Sequence, residues 1–369
     1  MTSAILTLSL FALLAGPSQT AAPEGTRYAE ALDRSYGAAI DQARQVIDAR
    51  LDEYPGLSVA VGMNGHIVWS QGFGWADIEG RVSARPASRF RVGSVAKPMT
   101  TALLALLYEE GKIDLDAHIQ LYVPGFPEKR HPITTRQLAG HLAGIRHYNG
   151  DEFLSSRRYA SILVGLEIFD DDPLLFEPET DYSYSTYGWN LISAVIEGAV
   201  DGDFLELMDE RVFYPLEMRS TEADQNRLIV MDRARPYIRN NKGQFENAPY
   251  VDNSYKWAGG GFVSTAEDLV RFGMAHLNPG FLKQETVKLL WTSQKTRDGK
   301  ETGYGIGWRV GRDKKGRRVI GHGGGSVGGT THLSIYPEQG LVIAIISNMS
   351  NAPPFDTEEI ADQFLALAR

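Results

Sequence analysis

Strand-like patterns lie near both ends of this chain and enclose a long stretch of helical patterns. Leu57 to Met63 and His66 to Phe73 alternate apolar and polar residues on either side of Asn64-Gly65, a dipeptide that suits a tight type I′ turn between two strands. Further strand patterns follow Gly261, and the last one runs from Leu341 to Ser347. This arrangement predicts an α/β chain of the α+β kind, in which one antiparallel sheet is assembled from both termini, flanked by helices, and a helical lobe is inserted.

The other predicted elements divide the chain into two lobes. Strands are also predicted at Trp308 to Val310, Arg318 to Gly321 and Thr330 to Tyr336, and helices at Ser35 to Glu53, Thr135 to Leu142, Tyr187 to Ala199, Phe204 to Phe213 and Thr357 to Ala368. A further helix begins just after Ser94, and it should be buried because apolar residues fill nearly all of its sides. We therefore expect one composite domain over 23–369, with a sheet lobe at about 35–90 and 258–369 and a helical lobe at about 91–257.

The charge and the residue content exclude several kinds of partner. The formal net charge is −9, which argues against nucleic acids and anionic membranes because both repel an acidic protein. The chain has no cysteine, so it can form neither a disulfide nor a thiolate metal site, and it has no cysteine nucleophile. Its histidines show no paired ligand spacing, so neither a metal nor another cofactor is expected.

The first 22 residues have the features of an export signal. Ala4 to Ala15 form an apolar run of signal-peptide length, followed by Gly16, Pro17 and small residues as far as Ala22. The run is too short to span a bilayer. No lysine or arginine precedes it, so the export signal is incomplete. The apolar run and the small residues after it predict a signal peptide over 1–22 and a periplasmic or secreted protein. The alternative is a protein anchored to a membrane by an uncleaved N-terminal segment.

Ser94 and Lys97 are the leading candidate pair for covalent chemistry. A serine hydroxyl becomes nucleophilic when a base removes its proton, and residues three apart on a helix lie on one face. A lysine can be that base if burial keeps it neutral, and the apolar helix after Lys97 would provide such burial. A helix N-terminus at Ser94 would also leave backbone N–H groups free to bind an oxyanion. The pair alone is a weak signal, since a helix cap beside a solvated lysine has the same spacing.

Two later segments add groups that such a reaction needs. Tyr184-Ser185-Thr186 supplies a phenol that can relay a proton to the leaving group. His322-Gly323-Gly324 precedes a strand pattern, and its small residues would let a substrate backbone lie close, while Gly325 could donate a second N–H to the oxyanion. Taken singly, the tyrosine also fits a buried side chain with a satisfied hydroxyl, and the histidine also fits a structural loop residue.

In this order, the three segments resemble those of class C β-lactamases, penicillin-binding carboxypeptidases and related esterases, which carry Ser-x-x-Lys, Tyr-x-Asn and then Lys-Thr-Gly or His-x-Gly. Longer runs are similar to the serine β-lactamase-like proteins of mitochondria and their bacterial relatives, namely 122–129, 137–148, 184–199 and 251–261. The resemblance extends roughly from Gly56 to Asn348. It implies a β-lactamase/transpeptidase-like fold with the site in the cleft between the sheet and the helical lobe.

The same resemblance implies a role for each site residue. Ser94 would be the nucleophile, Lys97 the general base and Tyr184 the proton relay. Substrate would be bound by four residues, namely Thr186, His322, Gly324 and Gly325.

Two departures from the family pattern narrow the expected activity. Thr186 stands where many relatives have asparagine, and it offers one short hydroxyl in place of an amide that both donates and accepts. His322 stands where β-lactamases have lysine, and a largely neutral histidine holds a β-lactam carboxylate less firmly. We therefore expect an acyl-enzyme hydrolase of amide or ester bonds in small molecules or peptides. It would be a peptidase, including the D-Ala-D-Ala carboxypeptidase type, or an esterase, rather than a true β-lactamase.

Two alternatives stay open. One is a catalytically weak scaffold that uses the same fold and assembles into a homo-oligomer or filament, since the mitochondrial proteins that the chain resembles form filaments. The other is an active β-lactamase, which would turn over a chromogenic cephalosporin at useful rates.

Overall fold

The computed structural model describes residues 29–355 and 357–366. The predicted export segment at 1–22 lies outside these residues. Within the described ranges, no helix combines the length and the apolar character that crossing a lipid bilayer requires.

Strands dominate both ends of the described chain, and helices dominate its middle. The strands are β1 (Ala29–Leu32), β2 (Gly56–Met63), β3 (His66–Asp77), β4 (Val82–Ser83), β5 (Phe90–Arg91), β6 (Glu222–Ala223), β7 (Tyr237–Arg239), β8 (Phe245–Asn247), β9 (Phe262–Ser264), β10 (Arg309–Arg312), β11 (Arg318–Ser326), β12 (Gly329–Tyr336) and β13 (Leu341–Ser347). The α-helices are α1 (Gly37–Asp48), α2 (Ala96–Glu109), α3 (Thr135–Ala139), α4 (Ile162–Leu166), α5 (Tyr187–Val200), α6 (Phe204–Met208), α7 (Trp257–Gly260), α8 (Ala266–Ala275), α9 (Gln284–Leu290) and α10 (Thr357–Ala366).

The main sheet joins the two ends of the chain. Its strand order is β1-β3-β2-β13-β12-β11-β10, with β4 beside β3. All of these neighbours are antiparallel. In the central pair, Val59 of β2 lies opposite Ile345 of β13, and Val61 lies opposite Ile343. The predicted antiparallel sheet from both termini is therefore confirmed.

The predicted hairpin between β2 and β3 is also confirmed. Asn64 and Gly65 both have positive φ angles, 50° and 86°, as a type I′ turn requires of its two central residues. The Asn64 N–H donates to the carbonyl of Gly340 at 2.9 Å, which ties this turn to the one before β13. β3 runs farther than predicted, to Asp77, because its last residues pair with β4.

Helices cover both faces of the sheet. On one face, α1 and α10 pack together over Val59 and Val61. On the other face, α8 lies against β2 and β13, and it approaches Gly62 so closely that a Cβ there would lie 2.6 Å from a methyl of Val270. Because both faces are covered, every residue of β2 is buried.

The apolar helix predicted after Ser94 is α2, and it is buried as expected. Every residue from Ala96 to Ala105 is buried, and the helix packs against α5 and α7. α2 ends at Glu109, followed shortly by Gly111, whose φ of 70° cannot continue a right-handed helix. The turn Gly93–Val95 leads directly into α2, so Ser94 lies at its N-terminal end.

Three predicted helices differ from the observed ones. The helix predicted over 35–53 is α1 with a short 3₁₀ turn on either side, at Arg34–Tyr36 and Leu51–Glu53. α3 stops at Ala139 rather than Leu142, because His141 has a φ of 62° and therefore leaves the helical path. That turn directs the His141 ring inward, 4.3 Å from the ring of Tyr184. The helix predicted over 204–213 is α6 followed by a π-helical turn at Asp209–Phe213.

Candidate active site

Ser94 and Lys97 meet at the start of α2. The turn that holds Ser94 continues into the first turn of α2, so the two side chains lie on one face as their spacing predicts. The Nζ atom of Lys97 lies 3.1 Å from the Oγ atom of Ser94. Ser94 is partly exposed, whereas Lys97 is fully buried. A nucleophile open to the cleft is thus paired with a base shielded from water.

The partners of Lys97 are all neutral. Besides Ser94, its Nζ atom donates to the Thr186 hydroxyl at 3.0 Å and to the Gly259 carbonyl at 2.7 Å. Burial lowers the pKa of Lys97 well below its usual value, and the charges of Lys256 and Arg309 lower it further. These contacts suit an uncharged amine that can accept a proton.

Tyr184 completes a cluster with these two residues. Its ring centroid lies 4.8 Å from the Nζ atom of Lys97, and the nearby Ser94 side chain partly offsets the effect of burial on its pKa. Burial raises the pKa of Tyr184, so the phenol keeps its proton. The rings of His141 and His147 lie beside it, with centroids 4.3 Å and 5.6 Å away. The structure therefore brings together the three residues that were predicted to do chemistry.

The glycines of β11 lie against the turn that carries Ser94. A Cβ on Gly324 would lie 2.0 Å from the Val92 carbonyl oxygen and 3.2 Å from the Ser94 nitrogen. A Cβ on Gly93 would likewise lie 2.8 Å from the Gly325 nitrogen. Gly325 itself is exposed, and a Cβ there would meet nothing within 4 Å. The backbones of Ser94 and Gly325 are thus neighbours at the open cleft, while Gly324 is packed behind them.

His322 lies on β11 within the site but faces inward. Its Nδ1 atom is 2.6 Å from the Gly323 carbonyl oxygen, and its Nε2 atom is 2.8 Å from the Tyr304 hydroxyl. Because a carbonyl can only accept, Nδ1 carries the hydrogen and Nε2 accepts from the phenol. Burial and the charge of Lys97 hold the pKa of His322 well below its usual value. The ring is therefore neutral and both nitrogens are occupied, unlike a group free to bind substrate.

Thr186 is also turned away from the cleft. It is buried, its hydroxyl accepts from Lys97, and its N–H donates to the Nδ1 atom of His147 at 3.1 Å. Burial and then the charge of Lys97 lower the pKa of His147 to about 4, so this imidazole stays neutral and can accept. In this structure Thr186 holds the lysine rather than lining the cleft.

Sequence reasoning missed four residues around the cluster: Gly259, Tyr304, Arg309 and Lys256. Arg309 lies on β10, which pairs with β11, and its guanidinium is 5.9 Å from the Tyr184 ring centroid. It is exposed and forms no ion pair within the described chain. The run of three glycines after Trp257 was the one signal that pointed toward Gly259. The others are placed by strand register and packing, which a sequence does not display.

In the part of the chain that the structure describes, no group of three or more histidine, aspartate or glutamate side chains is arranged to hold a metal ion.

Comparison with known proteins gives the family of this chain. A family model described as Beta-lactamase matches residues 43–368. The mitochondrial serine beta-lactamase-like protein LACTB of Homo sapiens is 32% identical, over 86% of this chain and 78% of that protein. The D-aminopeptidase of Gluconobacter oxydans is 25% identical, over 86% of this chain and 60% of that protein.

A solved structure shows the same fold. The octameric penicillin-binding protein homologue from Pyrococcus abyssi superimposes with a TM-score of 0.75 at 22% identity, over 90% of this chain and 77% of that one. The chain therefore belongs to the beta-lactamase family, and its fold is of the β-lactamase/transpeptidase type.

Proposed function

We propose that this protein is a serine hydrolase that cleaves amide or ester bonds through an acyl-enzyme formed on Ser94. The observation that carries the proposal is the 3.1 Å contact between the Ser94 hydroxyl and the Lys97 amine, whose other partners are neutral. A base whose charged form is disfavoured by burial, in contact with the nucleophile, is what acyl transfer needs.

Acylation follows from these positions. Lys97 accepts the hydroxyl proton as the Ser94 oxygen bonds to the substrate carbonyl carbon, and the carbonyl electron pair moves onto its oxygen. The backbone N–H groups of Ser94 and Gly325 bind that oxyanion. Tyr184 then donates its proton to the departing nitrogen or oxygen, and it regains a proton from Lys97. Water attacks the acyl-enzyme with the same base, which restores the free hydroxyl.

The cleft favours substrates other than β-lactams. At the two positions where β-lactamases use lysine and asparagine, His322 and Thr186 are occupied by protein partners and are not free to hold an opened β-lactam. Arg309, which has no ion-pair partner in the described part of the chain, instead places a cation beside Tyr184, where a leaving group with a carboxylate would lie. A short peptide with a free C-terminus fits this arrangement, and the D-aminopeptidase relative supports a peptide as the substrate.

A substrate panel with active-site labelling tests the proposal. The purified protein is treated with a fluorophosphonate and mapped by mass spectrometry. It is then assayed with D-aminoacyl p-nitroanilides, D-Ala-terminated peptides, short-chain p-nitrophenyl esters and a chromogenic cephalosporin. We expect an adduct on Ser94, turnover of an ester or a peptide substrate, slow or no cephalosporin turnover, and no reaction in Ser94→Ala. Equal behaviour of wild type and Ser94→Ala would leave only the scaffold function, and fast cephalosporin turnover would make it a β-lactamase.

Assembly is a second property to test. The Pyrococcus abyssi homologue with this fold is octameric, which supports the proposal that this chain forms a homo-oligomer or filament. Light scattering after size exclusion would show a multiple of the 40.7 kDa chain mass, whereas a monomer at every concentration would contradict assembly.

Export also stays a prediction. The human relative is named as mitochondrial, whereas another relative comes from Bacillus subtilis, a bacterium without mitochondria, so relatives of this chain do not share a single location. Sequencing of the N-terminus of protein from the native cell, together with its fractionation, would show whether residues 1–22 are removed.

A further inference from the structure

A second buried lysine lies close to the site and has no role in the steps above. Lys256 ends the turn Ser254–Lys256 directly before α7, and it is 2% exposed. Its Nζ atom lies 4.4 Å, 5.2 Å and 5.6 Å from the ring centroids of Phe153, Tyr255 and Tyr148. Among the described residues its Nζ atom forms no hydrogen bond and no ion pair, while its backbone N–H donates to the carbonyl of Asn253. We call these three rings the Lys256 cage.

The cage is joined to the pocket of Lys97 along two paths. Through α7, Lys256 is three residues from Gly259, whose carbonyl accepts from Lys97. Through the cage, Tyr148 follows His147, which accepts the backbone N–H of Thr186. The groups that hold Lys97 in place are therefore continuous with the groups that enclose Lys256.

The charges of the two lysines act on each other and on the histidine beside them. After burial, Lys256 is the largest influence that lowers the pKa of Lys97. The pKa of His147 is lowered by burial, then by Lys97 and then by Lys256, so this ring is near both. Burial lowers the pKa of Lys256 itself to about 7.

The other charged and titratable groups around the pair do not cancel this repulsion. Lys97 faces Arg309, His141, His322 and Tyr184, none of which carries a negative charge that would favour its charged form. Lys256 is influenced by Arg91 and Asp224, and Asp224 is already paired with Arg91 at 2.7 Å and with Arg233 at 3.2 Å. Glu152 lies nearby but is paired with Arg146.

We propose that Lys256 is a positioning residue for catalysis, whose charge, held in its aromatic cage, keeps Lys97 in the neutral, proton-accepting form. The negative faces of aromatic rings stabilise a cation without neutralising it, whereas a carboxylate partner would cancel its field. Burial also removes the water and salt that would screen the charge. This inference rests on the proposed function, because it concerns the base of that reaction.

The effect depends on pH in a defined direction. Since the pKa of Lys256 is about 7, its charge is present below that pH and fades above it. Protonation of Lys97 at acidic pH is then opposed by an adjacent charge, and loss of Lys256 removes the opposition. The acid limb, meaning the fall in kcat/KM on the acidic side of the pH profile, should therefore move to higher pH when the charge of Lys256 is removed.

The test compares Lys256→Met with Lys256→Arg through the pH profile of kcat/KM for p-nitrophenyl butyrate. We expect Lys256→Met to move the acid limb up by about one unit, which lowers kcat/KM about tenfold on that limb and leaves it unchanged at alkaline pH. Lys256→Arg keeps the charge and should restore the wild-type limb. Lys129→Met is the matched control, since Lys129 is a partly buried lysine that donates to the carbonyls of Asp170 and Asp172 away from the site.

Each outcome decides the inference. The inference is overturned if a folded Lys256→Met has the same acid limb of the kcat/KM profile as wild type, or loses the same fraction of kcat/KM at every pH. It is also overturned if Lys256→Arg has the same pH profile as Lys256→Met. Lys256→Gln serves the same comparison if the methionine variant does not fold. A wild-type protein without a Ser94 adduct would contradict the proposed function, whereas a reactive wild type whose Lys256 variants share its profile would contradict this inference alone.

Discussion

The imidazole of His322 and the phenol of Tyr304 form a buried pair, with Nε2 and the hydroxyl oxygen 2.8 Å apart. The pair fixes the tautomer of the histidine and occupies its Nε2 atom, while the ring stays 6.2 Å from the ring of Tyr184, centroid to centroid. Consequently, a neutral, buried group occupies the position at which β-lactamases carry a lysine. Arg309, on the neighbouring strand, has no ion-pair partner among the described residues and places a cation near the ring of Tyr184. The positive charge near Tyr184 therefore comes from Arg309 on β10 and not from the residue at position 322 on β11.

Removal of the Tyr304 hydroxyl tests this pair. In Tyr304→Phe the Nε2 atom of His322 stays buried without a partner, so the free energy of unfolding should fall by about 1–3 kcal/mol. Urea unfolding measures the loss. Tyr182→Phe makes the same chemical change on a partly exposed ring whose phenol has no hydrogen bond in the described chain, and it should cost much less. Equal losses in the two variants would show that the pair contributes nothing specific.

Lys97→Met tests the base and its linkage to stability. Activity should fall at least about 100-fold, because the Ser94 hydroxyl loses the amine that contacts it at 3.1 Å. The pKa of Lys97 is lower in the folded protein than its usual 10.5, so between those values the unfolded chain binds more protons. The wild-type free energy of unfolding should therefore rise with pH, relative to Lys97→Met, as the pH approaches about 10.5. Urea unfolding of both proteins across that range measures the difference, and a constant or falling difference contradicts a buried neutral amine.

Gly324 and Gly325 should respond oppositely to the same substitution. In Gly324→Ala the new methyl would lie 2.0 Å from the Val92 carbonyl oxygen, so β11 must shift from the Ser94 turn, and we expect a loss of about 3 kcal/mol in stability. In Gly325→Ala the methyl meets nothing within 4 Å, so stability should stay within about 0.5 kcal/mol. The same methyl projects into the cleft, so kcat/KM should fall about tenfold or more. Melting curves measure the stability of the two variants, and esterase assays measure their kcat/KM. A Gly324→Ala variant as stable as wild type would refute the close packing of Gly324 against Val92.

Arg309→Ala tests the proposed contact with a carboxylate. We expect kcat/KM for a D-Ala-terminated peptide to fall about 10- to 100-fold, because a charge-assisted hydrogen bond to its carboxylate is lost. The kcat/KM for a neutral ester should stay unchanged. Assays at alkaline pH, where Lys97 is neutral in every variant, separate this effect from the influence of Arg309 on the lysine. Arg312→Ala is the control, because Arg312 lies on the same strand and donates to the Gly316 carbonyl. Equal losses for both substrates would exclude a role in substrate choice.

Features that depend on a few adjacent residues were predictable from the sequence. The spacing of Ser94 and Lys97 sets their contact, because a helical turn brings residues three apart onto one face. Asn64-Gly65 forms its turn because both residues accept positive φ angles. The burial of α2 follows from apolar residues on all its sides. The sheet shared by both termini followed from the order of these local patterns.

The directions in which Thr186 and His322 point could be decided only by the tertiary structure. Both residues were predicted to face substrate, yet one holds Lys97 and the other pairs with Tyr304. These choices depend on packing between segments that are far apart in the chain, where buried polar groups must find partners that a sequence does not reveal. The order of residues determined the reactive pair and the strands around it, and long-range packing decided which neighbours make that pair neutral and where the cleft is charged.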